Sequence, residues 1–250
     1  MDPYDQDETV TLYCGDAHDV VPALGRFDAV VTDPPYGVTP LAWDVWPEGW
    51  PALVAAHATS MWCFAPVRVL LERAAEFDAA GWRFSQDVVW RKPNGTGIAP
   101  ARFRRVHETA THWYRGPWTD TYHATPRVPG LGPRKQRAIH RTAGPATQNT
   151  QGASSWSDDG TRQAPSVIDA ANLHRRQPIH PTEKPTGLLE LLIAYATPPE
   201  GVVLDPFAGS GSTAVAARHI GRRAVLVEAR EQQCEMTALR LAQGCLDLGI

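Results

Sequence analysis

Apolar positions along the chain fall into two rhythms. Short apolar runs closed by Gly, Pro or an acid occur at 10–13, 29–31, 59–64, 201–204 and 224–227, and such runs read as short strands of a covered sheet. Mixed segments at 84–90 and 107–114 add two further strands. Between them, apolar residues recur in the spacing of a helix face. This predicts a helix beginning near Val20 and others over 51–57, 66–79, 187–196, 213–220 and 230–244. Pro66 is suited to a helix start, and Gly81 to the residue that ends one. Alternating strands and helices predict an α/β fold whose mostly parallel sheet carries helices on both faces. The rhythm vanishes over 116–179, which is rich in Pro, Gly, Ser, Thr, Gln and Asn. An irregular stretch of roughly 60 residues is unusual in a compact domain unless it binds something or is disordered.

Two strand ends carry candidate chemistry. After 29–31 comes Thr32-Asp33-Pro34-Pro35-Tyr36-Gly37. Two prolines cannot continue a ladder, so the strand stops on a stiff ledge at its carboxyl end, where open α/β sheets place ligands. Asp33 and the Pro34 carbonyl are acceptors, and Tyr36 offers an aromatic face, a set that suits a planar base with an exocyclic amine. A Pro-Pro turn capped by an Asp is the plainer reading. After 201–204 comes Asp205-Pro206-Phe207-Ala208-Gly209-Ser210-Gly211-Ser212-Thr213, then a helix, then a strand ending in Glu228. Strand, glycine turn, helix, strand and a final acid about 20 residues on make a βαβ unit that grips a nucleoside. The same glycines fit a relaxed dinucleotide fingerprint, so a nicotinamide oxidoreductase stays open on this motif alone. Asp16, just past the first strand, either meets a nucleoside amine or caps the following helix. Residues 38–50, with Trp43, Trp46 and Trp50, either cover a ligand or close the core.

Charge sharpens the picture. The chain has 250 residues and a net charge of −3, yet twelve lysines and arginines face three acids between Arg83 and Arg141. A basic middle in an acidic frame is the footprint of a protein that holds a polyanion. Trp90, Phe103, Trp113, Tyr114 and Trp118 are interleaved with it and can stack on bases. Arg134, Lys135, Arg137 and Arg141 cluster in the irregular stretch, with Arg102, Arg104 and Arg105 as the other candidate group for DNA. The four cysteines share no metal or redox spacing, so no metal is expected. No apolar run reaches the roughly 20 residues that span a bilayer, and the acidic N-terminus lacks a signal core. A cytoplasmic protein without a membrane partner is expected.

Together the motifs resemble the DNA amino-methyltransferases, which methylate adenine N6 or cytosine N4 from S-adenosylmethionine. Asp33-Pro34-Pro35-Tyr36 is similar to their catalytic tetrad, Asp205 to Gly211 to their cofactor loop, and His180-Pro181-Thr182-Glu183-Lys184-Pro185 to the motif that precedes it. Gly15-Asp16, Val89 to Asn94 and His107-Glu108 are lesser matches. Catalytic motif first and cofactor loop last is the circularly permuted β-group order.

The resemblance implies a Rossmann-like methyltransferase fold, with a catalytic domain over 1–115 and 180–250 and a target-recognition insertion over 116–179. Parts of that insertion are expected to order only on a partner. It further implies that Asp205, Phe207, Gly209, Gly211 and Thr213 surround the methionine end and ribose of S-adenosylmethionine. Glu228 would take the ribose hydroxyls, Asp16 the adenine amine, and Thr182 with Lys184 the methionine carboxylate. Glu183 falls in a loose slot and receives no role. Double-stranded DNA is the implied partner, and a homodimer stays open. Asp at the head of the tetrad points to adenine N6, Ser being the commoner residue for cytosine N4. An inactive DNA-binding module would show a broken tetrad or loop, and both are intact.

Overall fold

The computed structural model describes residues 1–96, 101, 103–129, 160–169 and 183–247. In chain order the elements are β1 (Asp5–Gln6), β2 (Val10–Cys14), α1 (Ala17–Val20), β3 (Ala29–Thr32), α2 (Trp50–Ala55), β4 (Ser60–Phe64), α3 (Val67–Ala79), β5 (Arg83–Thr96), β6 (Arg105–Tyr114), β7 (Arg127–Pro129), β8 (Thr161–Gln163), β9 (Val167–Ile168), α4 (Thr186–Ala196), β10 (Val202–Asp205), α5 (Ser212–His219), β11 (Arg223–Glu228) and α6 (Glu231–Asp247). Single 3-10 turns occupy Val21–Ala23 and Trp118–Asp120. The chain divides into two compact units, 1–124 with 165–250, and 125–164. In the smaller one, β7 and β8 pair antiparallel.

The larger unit holds a nine-stranded sheet in the order β1-β2-β11-β10-β3-β4-β6-β5-β9. Neighbours from β2 through β4 run parallel, β6 is antiparallel to both β4 and β5, and β9 adds parallel to β5. Because side chains alternate along a strand, β3 feeds two cores. Ala29 and Val31 join Trp62, Phe64 and the apolar faces of α4 and α5. Val30 points the other way, into a core with Trp50, Met61, Phe77 and Trp82. Such two-sided burial explains why these strands read as continuous apolar runs.

β3 and β10 are neighbours, and from them the chain departs in opposite directions, β3 towards β4 and β10 towards β11. Strand order therefore reverses between their carboxyl ends, and a crevice opens there. Asp33 and Asp205 stand on its two sides.

Several expected elements shift. The first helix begins at Ala17, because the Asp16 side chain accepts from the His18 N–H and caps it at once, and it gives way to a 3-10 turn containing Pro22. β5 runs on to Thr96, well past the expected 90. Strands β7, β8 and β9 lie within the stretch that shows no periodicity in sequence, since two- and three-residue strands leave none to see. Trp90 and Trp113, expected on a nucleic-acid face, are buried in the two cores. Of that aromatic set Phe103 is the fully exposed member.

Candidate active site

The crevice is a cavity of about 530 Å³, lined from Asp16 and Asp33 across to Asp205 and Glu228. Small-molecule sites run from about 300 to 1,000 Å³. Pro34 and Pro35 end β3, and the loop after them is wrapped around Asp44. Its Oδ1 accepts from the N–H groups of Tyr36 (2.7 Å) and Gly37 (2.9 Å), its Oδ2 from those of Val38 (3.0 Å) and Thr39 (2.7 Å). Burial alone would raise the Asp44 carboxyl, but these bonds outweigh it and hold it below the usual range. Asp44 is invisible in the sequence, because its partners are backbone groups that any residue supplies.

Asp33 is engaged on both oxygens. Oδ1 accepts from the Tyr36 hydroxyl and Oδ2 from the Lys184 ammonium. Burial and the neighbouring Asp33 push the Tyr36 phenol well above its ordinary value. Tyr36 lines the cavity while packing against the second core. Pro34 also lines it, and among the described residues no group donates to its carbonyl.

Asp205 is almost fully buried at the end of β10. It accepts from the Thr32 hydroxyl (2.9 Å), the Phe207 N–H (3.2 Å) and the Thr213 hydroxyl (2.6 Å). Thr213, expected on the cofactor, thus also staples α5 to β10. Burial raises the Asp205 carboxyl to about 6, although Thr213, Thr32 and Phe207 pull it down. Glu228 accepts from the Gly209 N–H (3.0 Å) on Oε2, and from the Arg230 N–H (3.1 Å) and guanidinium Nε (2.8 Å) on Oε1. Three of its about four lone-pair sites are thus engaged, and the residue lines the cavity. Arg230 lies 5.1 Å from the Trp43 ring centroid, which places Trp43 in the cavity wall. Trp46 and Trp50 are buried, with the Trp50 ring edge-on to Phe207 at 5.7 Å. The tryptophan loop therefore closes the core with Trp46 and Trp50 and lines the cavity with Trp43 and Trp46.

The two loop glycines divide likewise. A side chain at Gly209 (φ +50°) would meet open space, so its backbone can border a ligand. Gly211 (φ +73°) is the left-handed cap of α5, and a Cβ there would lie 2.6 Å from Thr237. Gly211 serves the packing of α5 on α6, and of the two glycines Gly209 is the one that lines the cavity. Asp16 lines the cavity but spends Oδ1 on the His18 N–H at 2.8 Å. The oxygens and open edge at Gly209 suit a ligand with a cationic amino-acid end and ribose hydroxyls, as S-adenosylmethionine has.

Lys184, implied by the resemblance to hold the methionine carboxylate, lines the cavity with its ammonium on Asp33 and, at 3.2 Å, on Glu108. Glu183, left without a role, accepts from the Ser212 hydroxyl (3.1 Å) and from Arg240, whose guanidinium also reaches the Ser210 carbonyl (2.8 Å). It ties the segment before α4 to the glycine loop and α6. Arg240 carries no sequence signal, being one arginine on an amphipathic helix.

Among the basic residues, Arg104 and Arg105 are exposed, Arg91 pairs with Asp169 (3.3 Å), and Arg115 is bonded to the Ala55 carbonyl. Thr182, Arg102, Arg134, Lys135, Arg137 and Arg141 lie outside the described residues. Among those described, no cluster of His, Cys, Asp and Glu could hold a metal ion, and no helix is long and apolar enough to cross a membrane.

A family model described as DNA methylase, of the N6/N4 type, matches residues 27–239. The Type II methyltransferase M.ScaI of Streptomyces caespitosus is 27% identical over 268 residues, covering 96% of this chain and 83% of that protein. Among solved structures, the M1.HpyAVI-SAM complex has a TM-score of 0.65 at 20% identity, covering 93% of this chain and 98% of that one. PvuII DNA methyltransferase, cytosine-N4-specific, gives 0.64 at 15% identity, covering 95% and 88%.

Proposed function

The chain belongs to the N6/N4 DNA methylase family, whose cofactor is S-adenosylmethionine, and on that premise we propose that it methylates the exocyclic N6 amine of adenine in double-stranded DNA. The observation that carries the reading is Asp33, held at the end of β3 on the lip of the crevice, with the Pro34 carbonyl beside it.

When bound, S-adenosylmethionine supplies a methyl group already activated on a sulfonium. Asp205, Phe207, Gly209, Asp16 and Glu228 would hold it, with Glu228 on the ribose hydroxyls. An exocyclic amine is a poor nucleophile because its lone pair is delocalised into the ring. Asp33 and the Pro34 carbonyl accept its two N–H bonds and draw the nitrogen towards tetrahedral geometry, which localises the lone pair. This is orientation together with electrostatic preorganisation. Asp33 need not be a strong base, since the nitrogen becomes acidic only after it has gained the methyl. The amine is out of reach inside a duplex, so the base must be flipped, and the Tyr36 ring, which lines the cavity, would border it.

A second reading, cytosine N4, is supported by the likeness to the PvuII enzyme. The two chemistries share this architecture and the same acceptors. Asp33 at the head of the tetrad supports adenine.

Methylation-aware sequencing of DNA from cells expressing the protein tests both. N6-methyladenine in one sequence context is expected, and it should vanish with Asp33→Ala. Purified Asp33→Ala should lose about 100- to 1,000-fold in rate while S-adenosylmethionine still raises its thermal midpoint. N4-methylcytosine would overturn the adenine assignment. Protection by NAD in place of S-adenosylmethionine would overturn the enzyme class.

A further inference from the structure

Glu108 and Lys92 take part in no step described above, yet both are drawn into the site. In the β4–β6 pairing Phe64 faces Ala110, so Glu108 lies just past the end of β4, on the edge of the sheet that carries Asp33. There it accepts from Lys92 and, at 3.2 Å, from Lys184. Lys184 in turn donates to Asp33 Oδ2, with its ammonium 5.0 Å from the Phe64 ring centroid. Four charges of alternating sign therefore run from β5 and β6, through Lys184 two residues before α4, to the end of β3. Their sum is zero.

The Lys184 side chain is 9% exposed. A buried ammonium is costly unless it is paired. Burial pushes its pKa down, but the Asp33 and Glu108 carboxylates more than offset this and leave it raised. For Glu108, burial pushes up, and Lys184 with Lys92 brings the carboxyl below its ordinary value. Lys184 and Glu108 are thus both charged at neutral pH, and the ion pair between them is kept.

We propose that Glu108, acting through Lys184, is a positioning residue for Asp33. The inference rests on Asp33 being the acceptor of the target amine. A carboxylate turns easily about its last torsion, which is broad and two-fold. Pinning Oδ2 to an ammonium that is itself pinned by Glu108 fixes the plane of the group. Oδ1 is then left to the Tyr36 hydroxyl, a neutral donor. The contact with Lys184 joins two opposite charges in a buried place, whereas the phenol brings a neutral donor, so the arriving amine exchanges with the phenol and leaves the ammonium in place. One neutral donor replaces another, and Asp33 does not turn. Lys184 is then a partner of the reacting carboxylate, with no part in holding the methionine carboxylate.

The test uses three variants of the full chain. Glu108→Gln keeps the shape and removes the charge. It should lower kcat on the order of 10- to 100-fold, as loss of an orienting partner does elsewhere, with S-adenosylmethionine affinity and KM for DNA unchanged. Because that variant leaves one positive charge in excess, Glu108→Gln/Lys92→Met restores neutrality. The double variant should recover the thermal midpoint but keep the low kcat. Recovery of both would reduce Glu108 to charge balance and overturn the proposal. Lys184→Met should bind S-adenosylmethionine as the wild type does while losing at least as much kcat as Glu108→Gln. A loss of S-adenosylmethionine affinity would return Lys184 to the methionine carboxylate, which also overturns it. The wild-type control separates the two levels. If it transfers no methyl group to DNA, the reading of Asp33 fails as well. If it does and the double variant matches it, only the role of Glu108 fails.

Discussion

Asp205 is the residue whose surroundings and charge disagree most. Buried at the end of β10, its carboxyl is raised from 3.8 to about 6. A raised carboxyl means that the folded chain binds more protons than the unfolded one between those values. By linkage, stability then falls as pH rises through that window and levels off above it. At neutral pH the cavity holds an ionised, desolvated carboxylate that no cation of the described residues neutralises within hydrogen-bonding reach. A bound sulfonium or ammonium would relieve it. S-adenosylmethionine affinity should therefore fall by up to about tenfold per pH unit below pH 6, with proton release on binding. Calorimetry in two buffers of different ionisation enthalpy measures that proton. Asp205→Asn should abolish the release, and a pH-independent affinity in the wild type would show that Asp205 does not face the cation.

At the scale of elements, the turn from β10 into α5 decides whether the crevice can be filled. Both of its glycines have positive φ, but a side chain would go to different places, into open space at Gly209 and into Thr237 of α6 at Gly211. Each substitution carries the left-handed penalty of roughly 1–2 kcal/mol. Beyond it the outcomes diverge. Gly209→Trp should remove the rise in thermal midpoint caused by S-adenosylmethionine while costing the free protein little more than that penalty. Gly211→Ala should lower the midpoint of the free protein further, through the clash with Thr237, and leave a ligand-induced rise. Thermal melts with and without S-adenosylmethionine read both. If Gly211→Ala alone abolished the rise, the assignment of these two positions would be reversed. The motif G-S-G looks like one feature in sequence because only backbone freedom is written there. Which glycine borders the cavity is decided by what α6 packs against.

At the scale of the molecule, the reversal of strand order between β3 and β10 brings together motifs more than 170 residues apart, as the Thr32 to Asp205 hydrogen bond shows. The basic middle of the chain has a different fate. Part of it is engaged within the protein, in the Lys92–Glu108 pair, at Arg115 and in the exposed Arg91–Asp169 pair, so a count of charges overstates what is left for DNA. Arg134, Lys135, Arg137 and Arg141 remain the candidates for binding phosphate. Neutralising all four should weaken DNA binding and flatten its salt dependence by up to about 0.9 in log–log slope for each phosphate no longer neutralised, with S-adenosylmethionine affinity unchanged. Fluorescence anisotropy over a salt series checks this. An unaltered slope would move DNA binding to Arg104 and Arg105, which are exposed at the start of β6.

The sequence by itself determined the α/β class, the positions of the principal strands and the two strand-end motifs. Each is a local matter: two-sided burial writes continuous apolar runs, prolines stop a ladder, and glycines mark backbone that a side chain would block. It did not reveal the short strands β7, β8 and β9, whose few residues fit no period, or that Trp90 and Trp113 are core residues. Tertiary structure alone decided what each charged group of the site touches. Glu108, Lys184 and Asp33 come from three separate stretches, and Asp44 works through backbone N–H groups. The partner of a charge is set by which strands the sheet places side by side, and that order is not written near any of the residues it joins.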